Sequence, residues 1–95
     1  MKLNIGCGKR NFGQKWMHID GANFSHIDSN DISLESFKND SVDLIYSSHF
    51  IEYFDRDEII SLLIKWKKVL KKNGILRLAV PDFKACAELY TKGLY

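Results

Sequence analysis

The chain has 95 residues, of which 45% are hydrophobic and 27% charged, and its 14 basic and 12 acidic side chains leave a formal net charge of +2. That length suits a single domain over residues 1–95, with a modest core that buries about 60–70% of the surface the unfolded chain exposes. The even charge does not by itself point to a nucleic-acid surface. The absence of a long apolar run and the two isolated cysteines, Cys7 and Cys86, lead us to expect a cytoplasmic, reducing setting without membrane span or disulfide framework.

Residues Lys2–Ile5 form a short apolar-leaning run halted by Gly6-Cys7-Gly8, the pattern of a strand and a tight turn. A second strand is expected over Trp16–Ile19, stopped by Asp20-Gly21, and a third, short one over 25–28. Residues 41–47 include Val42, Leu44, Ile45 and Tyr46, a mostly apolar run suited to a strand covered on both faces. The spacing predicts a helix over 56–72, because Ile59, Leu63, Trp66 and Leu70 recur at intervals of four, three and four. Asp55 and Glu58 resemble a capping box with Asp in the usual Ser/Thr place, and Asn73-Gly74 supplies a left-handed stop. Lys65, Lys67, Lys68, Lys71 and Lys72 read as a solvated face that compensates the helix dipole. A strand over 75–80, ended by Pro81-Asp82, and a last helix over 83–90 complete the series.

The helix between the last two strands provides the long connection that parallel strands need. The expected fold is α/β: a Rossmann-like, open, mostly parallel, doubly wound sheet of about five strands, with ligand chemistry at the carboxyl ends of the strands. Those ends carry Gly6-Cys7-Gly8, Asp20-Gly21, Asp31, Ser47-Ser48-His49 and Pro81-Asp82. A glycine there lets a ligand approach the backbone closely, although a GxG turn has many structural causes. Asp20 can accept hydrogen bonds from both hydroxyls of a ribose or serve as a solvated turn residue. Asp31 can accept from an adenine amine or cap a helix or turn. Together these residues describe a nucleoside-binding crevice.

The stretches LNIGCG, WMHID, DISLESF, DSVDLIYSSHFIEYF and WKKVLKKNGILRLAVPDF, in that order, resemble the class I S-adenosylmethionine-dependent methyltransferases. The likeness is nearest to a branch of small bacterial predicted methyltransferases that lacks C-terminal strands here. The resemblance implies that Asn4, Gly6, Cys7 and Gly8 lie against the methionine part of S-adenosyl-L-methionine. It implies that Asp20, with Gly21 beside it, holds the ribose, and that Asp31 and Ile32 receive the adenine. Ser47, Ser48 and His49 would border both cofactor and methyl acceptor; Tyr46 reads as a core aromatic.

Some positions depart from the family. Asn4 stands where an acidic residue is usual, Arg10 where a third glycine is common, and Tyr53 where the branch often has His. The stretch between Gly8 and Trp16 is too short for the usual first crossover helix. A full fold of this class has seven strands, so about five would leave 75–80 as an open apolar edge. Such an edge is a template for pairing, and a homodimer through it is expected.

Methyl transfer depends largely on positioning, and the need for a base follows from the acceptor's pKa. His49 is the candidate base, with Glu52 three residues on. His18 and His26 have no metal-ligand spacing, so no metal is expected. The acceptor is expected to be a small molecule or a glycan, with no nucleic acid or membrane partner. Two other readings are a truncated, non-catalytic module that binds the cofactor or a partner, and a nicotinamide dehydrogenase domain. The second would need glycine at position 11, where Asn11 stands.

Overall fold

The computed structural model describes residues 1–79. Their elements are β1 (Lys2–Ile5), β2 (Trp16–Ile19), β3 (Val42–Ser48), α1 (Arg56–Val69) and β4 (Leu70–Ala79), with a single 3-10 turn at Ile51–Tyr53. The four strands form one parallel sheet in the order β2-β1-β3-β4. The chain moves outward from β1 to β2, then returns past β1 to β3 and β4. This reversal makes the gap between the tips of β1 and β3 a topological switch point, where α/β sheets bind ligands. The Rossmann-like reading of the sequence agrees with this topology.

One face of the sheet makes the core. Leu3 pairs with Ile45 and with Met17, and Ile5 pairs with Ile19, so these apolar side chains share a face. They pack with Leu62, Leu63, Trp66 and Val69 of α1 and with Leu34 and Ile51. The helix starts as its sequence predicts: Asp55 accepts from the Glu58 amide and the Glu58 side chain reaches back to the Asp55 amide.

The opposite face is covered differently. The connection over residues 6–15 is shorter than the dozen or more residues that a parallel crossover usually takes, and it contains no helix. Phe12 does the covering: its ring centroid lies 5.1 Å from that of Trp16 and 5.4 Å from that of Tyr46, and its amide donates to His18 Nε2 at 2.9 Å.

Three expectations need correction. The described sheet has four strands rather than about five, because residues 25–28 curl into a turn and pairing with β2 is reduced to one bridge, Ile19 to Ser29. The Asp28 carboxylate takes the His18 amide, so a side chain competes with the ladder there. The helix ends at Val69 rather than at residue 72. Leu70 is already extended and pairs with Val42, since that places a large apolar residue against the core. Finally, Gly74 does not adopt the left-handed conformation. The register with β3 jumps between Val42 and Leu44, so residues 71–74 bulge outward. A Cβ at Gly74 would lie 2.9 Å from the Lys71 carbonyl oxygen; close approach, not positive φ, calls for glycine.

β4 is one of the two edge strands of the described sheet, β2 being the other, and its Ile75 is half exposed. Val80, Pro81-Asp82, Cys86 and the helix expected over 83–90 lie outside the described residues. No described helix is long and apolar enough to cross a membrane. Lys65 pairs with Glu35 at 2.8 Å and Lys71 with Asp43 at 3.1 Å, consistent with the solvated-face reading of the lysines.

Because Leu63 is fully enclosed between α1 and the sheet, Leu63→Ala should cost about 2–5 kcal/mol of stability. Urea unfolding should show the midpoint moving down with an unchanged slope.

Candidate functional site

The turn after β1 is built by backbone conformation. Gly6 and Gly8 both have positive φ, 70° and 54°, where a side chain is strained. The Gly6 amide donates to the Ile19 carbonyl at 2.7 Å and so extends the β1–β2 ladder by one bond. A Cβ on Gly6 would lie only 2.2 Å from Phe50 Cγ, whereas one on Gly8 would meet nothing within 4 Å. The first glycine therefore makes room for a phenylalanine, and the second leaves its outer side open.

Asp20 ties the strand tips together. Its Oδ2 accepts from the Gly8 amide at 2.7 Å and its Oδ1 from the Ala22 amide at 2.8 Å. Each carboxylate oxygen keeps acceptor capacity beyond one bond. The Asp20 amide donates to the Ser29 carbonyl, and Asn30 Nδ2 donates to the Asp20 carbonyl at 2.7 Å. These bonds bring the segment that carries Asp31 and Ile32 alongside the β2 tip. Gly6, Asp20 and Asp31 thus lie along one connected rim. Gly21 is exposed, lacks a positive φ and would accept a Cβ without contact, so its backbone does not require glycine.

Asp31 caps a turn. Its carboxylate accepts from the Glu35 and Ser36 amides and from the Ser36 hydroxyl. Partial burial works against its ionisation, but the bonds from Ser36, Glu35 and Ser33 together hold its pKa below the ordinary carboxylate value. Ile32 is half buried, and its carbonyl accepts from the Trp66 indole at 2.8 Å.

Asn4 and Ser47, on β1 and β3, flank the switch point and are 2% exposed. Asn4 Nδ2 and Ser47 Oγ are buried polar atoms without a hydrogen-bond partner among the described residues. Buried polar groups are nearly always paired, and an orphaned one costs about 1–3 kcal/mol. Ser48 is also buried. His49 follows at the tip with φ 53°, its amide on the Ala79 carbonyl at 2.7 Å and its ring exposed. Its Nδ1 stands 3.8 Å from Glu52 Oε2.

Cys7 is enclosed, with Sγ 3.9 Å from His26 Nε2. Burial first, and then the charges of Asp20 and Asp28, raise its thiol pKa and so disfavour the thiolate. His18 packs edge-on to His26 and faces Asp28. Among the described residues, no three His, Cys, Asp or Glu side chains converge as a metal set.

Phe50 and the Trp66 indole were not legible as site residues. Trp66 reads from its spacing only as part of an apolar stripe, and no local pattern marks Phe50 as the residue that rests on Gly6.

A parallel sheet with a glycine turn and an aspartate at adjoining tips beside the switch point is an α/β domain of the Rossmann-like type. Residues 14–78 match the family described as methyltransferase domain. The chain belongs to that family of class I S-adenosylmethionine-dependent methyltransferases. The matched stretch includes Asp20, Asp31, Ser47 and His49 but begins after the glycine turn. A search of curated proteins and one of solved structures found no match.

Two predictions follow from this geometry. Gly8→Ala should cost about 1–2 kcal/mol, the price of left-handed φ alone, while Gly6→Ala should cost clearly more because Phe50 must also move; urea unfolding of both variants measures the difference. The lowered pKa of Asp31 means its contribution to stability is complete above the ordinary carboxylate pKa of about 3.9 and is lost as pH falls through the lower folded value. Thermal unfolding should show Asp31→Asn narrowing its deficit against the wild type on acidification below that pH.

Proposed function

We propose that this domain binds S-adenosylmethionine across the tips of β1 and β2 and transfers its methyl group to a small-molecule or glycan acceptor. The observation that carries this reading is the pair of unpartnered buried atoms, Asn4 Nδ2 and Ser47 Oγ, on the two strands that flank the switch point. Such atoms fit a polar ligand that satisfies them. The family generally uses S-adenosylmethionine, and the open outer side of Gly8 and the spare acceptor capacity of Asp20 agree with it.

When bound, S-adenosylmethionine supplies an electrophilic methyl group on a sulfonium. In this reading Asn4 and the Gly6–Gly8 turn hold the methionine part, Asp20 the ribose, and Asp31 and Ile32 the adenine. Asn4 offers an amide where the family usually has a carboxylate, and its unpartnered Nδ2, a donor, suits the carboxylate of the methionine part rather than its ammonium group. Ser47, Ser48 and His49 border both the cofactor and the acceptor. Glu52 Oε2 lies 3.8 Å from His49 Nδ1, near enough for a charge contact but not a hydrogen bond.

Calorimetry with S-adenosylhomocysteine tests the binding, and a methyl-release assay then separates turnover from binding without turnover. Asp20→Asn should weaken binding; its single amide oxygen keeps an acceptor for only one of the Gly8 and Ala22 amides, so thermal unfolding is followed alongside, and unchanged affinity removes the ribose assignment. His49→Asn should lower turnover about 100-fold with little change in cofactor affinity if the acceptor needs a base. Pairing of two copies through the β4 edge belongs to the same proposal, supported by its place at a sheet edge and the half-exposed Ile75. Light scattering at tens of micromolar should give a dimer; a clean monomer ends that part.

A further inference from the structure

Trp66 sits at the centre of the core, fully buried, and touches two segments that meet the crevice from different sides. Its indole N–H donates to the Ile32 carbonyl at 2.8 Å, across 34 residues of sequence. Its ring lies nearly parallel to that of Phe50, at 12° with centroids 6.4 Å apart. Phe50 in turn fills the space where a Cβ of Gly6 would be. A second aromatic contact, Phe54 edge-on at 5.1 Å, fixes the Phe50 ring from its other side. A single helical residue thus reaches the Ile32 segment through a hydrogen bond and the glycine turn through a stack.

We infer that Trp66 is a positioning residue that sets both ends of the cofactor crevice, the adenine segment through its indole N–H and the glycine turn through Phe50. The inference rests on the cofactor reading above and adds to it a division of labour. Neither contact is required for a helix to cover the sheet. An apolar residue of similar size would fill the core, but it would leave the Ile32 carbonyl without its donor. The two arms are chemically distinct, so they can be cut separately. Trp66→Phe removes the N–H and keeps an aromatic ring for the stack. Phe50→Leu removes the stack and leaves the indole bond in place.

The test uses two ligands on the full chain, adenosine and S-adenosylhomocysteine, the second adding the amino-acid part. Trp66→Phe should weaken both by about fivefold to tenfold, the worth of one hydrogen bond to a buried carbonyl. Phe50→Leu should weaken S-adenosylhomocysteine by a similar factor and leave adenosine unchanged. A merely structural role would lower the melting temperature and scale both ligands alike in both variants, and that result overturns the inference while the cofactor reading stands. A wild-type chain that binds neither ligand overturns both. Should Trp66→Phe fail to fold, the wild type still decides. The Trp66 indole proton resonance, told from that of Trp16 by Trp16→Phe, should shift on adding adenosine, and an unmoved signal sinks the idea.

Discussion

The Asp20 carboxylate holds the tip of the sheet together. One oxygen binds the Gly8 amide after β1 and the other binds the Ala22 amide after β2. Two turns that leave the sheet from adjacent strands are thereby fixed to one ionised group, and charge-assisted bonds of this kind are stronger than neutral ones. The rim continues because the Asp20 backbone also bonds to Ser29 and Asn30, which brings the Asp31 turn into line. Without this anchor, β1 and β2 would still pair, but their turns would have no common orientation. The carboxylate that can meet a ribose is therefore also the one that shapes the crevice.

The switch point has a matching cost. Asn4 and Ser47 are both buried, Asn4 on the face that Phe12 and Tyr46 share and Ser47 on the core face, and each keeps one polar atom unpaired among the described residues. A core built for stability alone would have apolar residues at both positions. Polar residues at the strand pair where the chain reverses are the place where the fold's local consistency gives way to ligand chemistry. The Cys7 thiol is different: it is a small buried group whose pKa is raised first by burial and then by the Asp20 and Asp28 charges.

How much of this could be read from the sequence differs from element to element. The limits of β1, β2 and the start of α1 follow from short-range signals, a glycine turn, an Asp-Gly stop and a capping box, and the structure has them where those signals lie. The end of α1 was not readable, because the competition there was tertiary. Leu70 fits the helical stripe as well as it fits β4, and pairing with Val42 decided the outcome. Residues 25–28 failed as a strand since the Asp28 side chain took a bond that a ladder would have used. Asp20 and the glycine turn stand at strand ends as their place in the sequence indicated, whereas Asp31 follows a segment that forms no strand. Gly6 carried no sign that Phe50 rests on it, and Trp66 carried none of its bond to Ile32, because those contacts join residues 44 and 34 positions apart.

The direct passage from Val69 to Leu70 leaves no loop between α1 and β4, while residues 71–74 bulge away from the sheet. Slack in the chain is therefore stored after the junction instead of within it. A helix joined in this way cannot slide along its axis without pulling on the strand, so α1 and the first residue of β4 behave as one rigid piece. A residue gained or lost is absorbed most easily in the bulge, where it shifts neither the helix nor the pairing of Leu44 with Ile75.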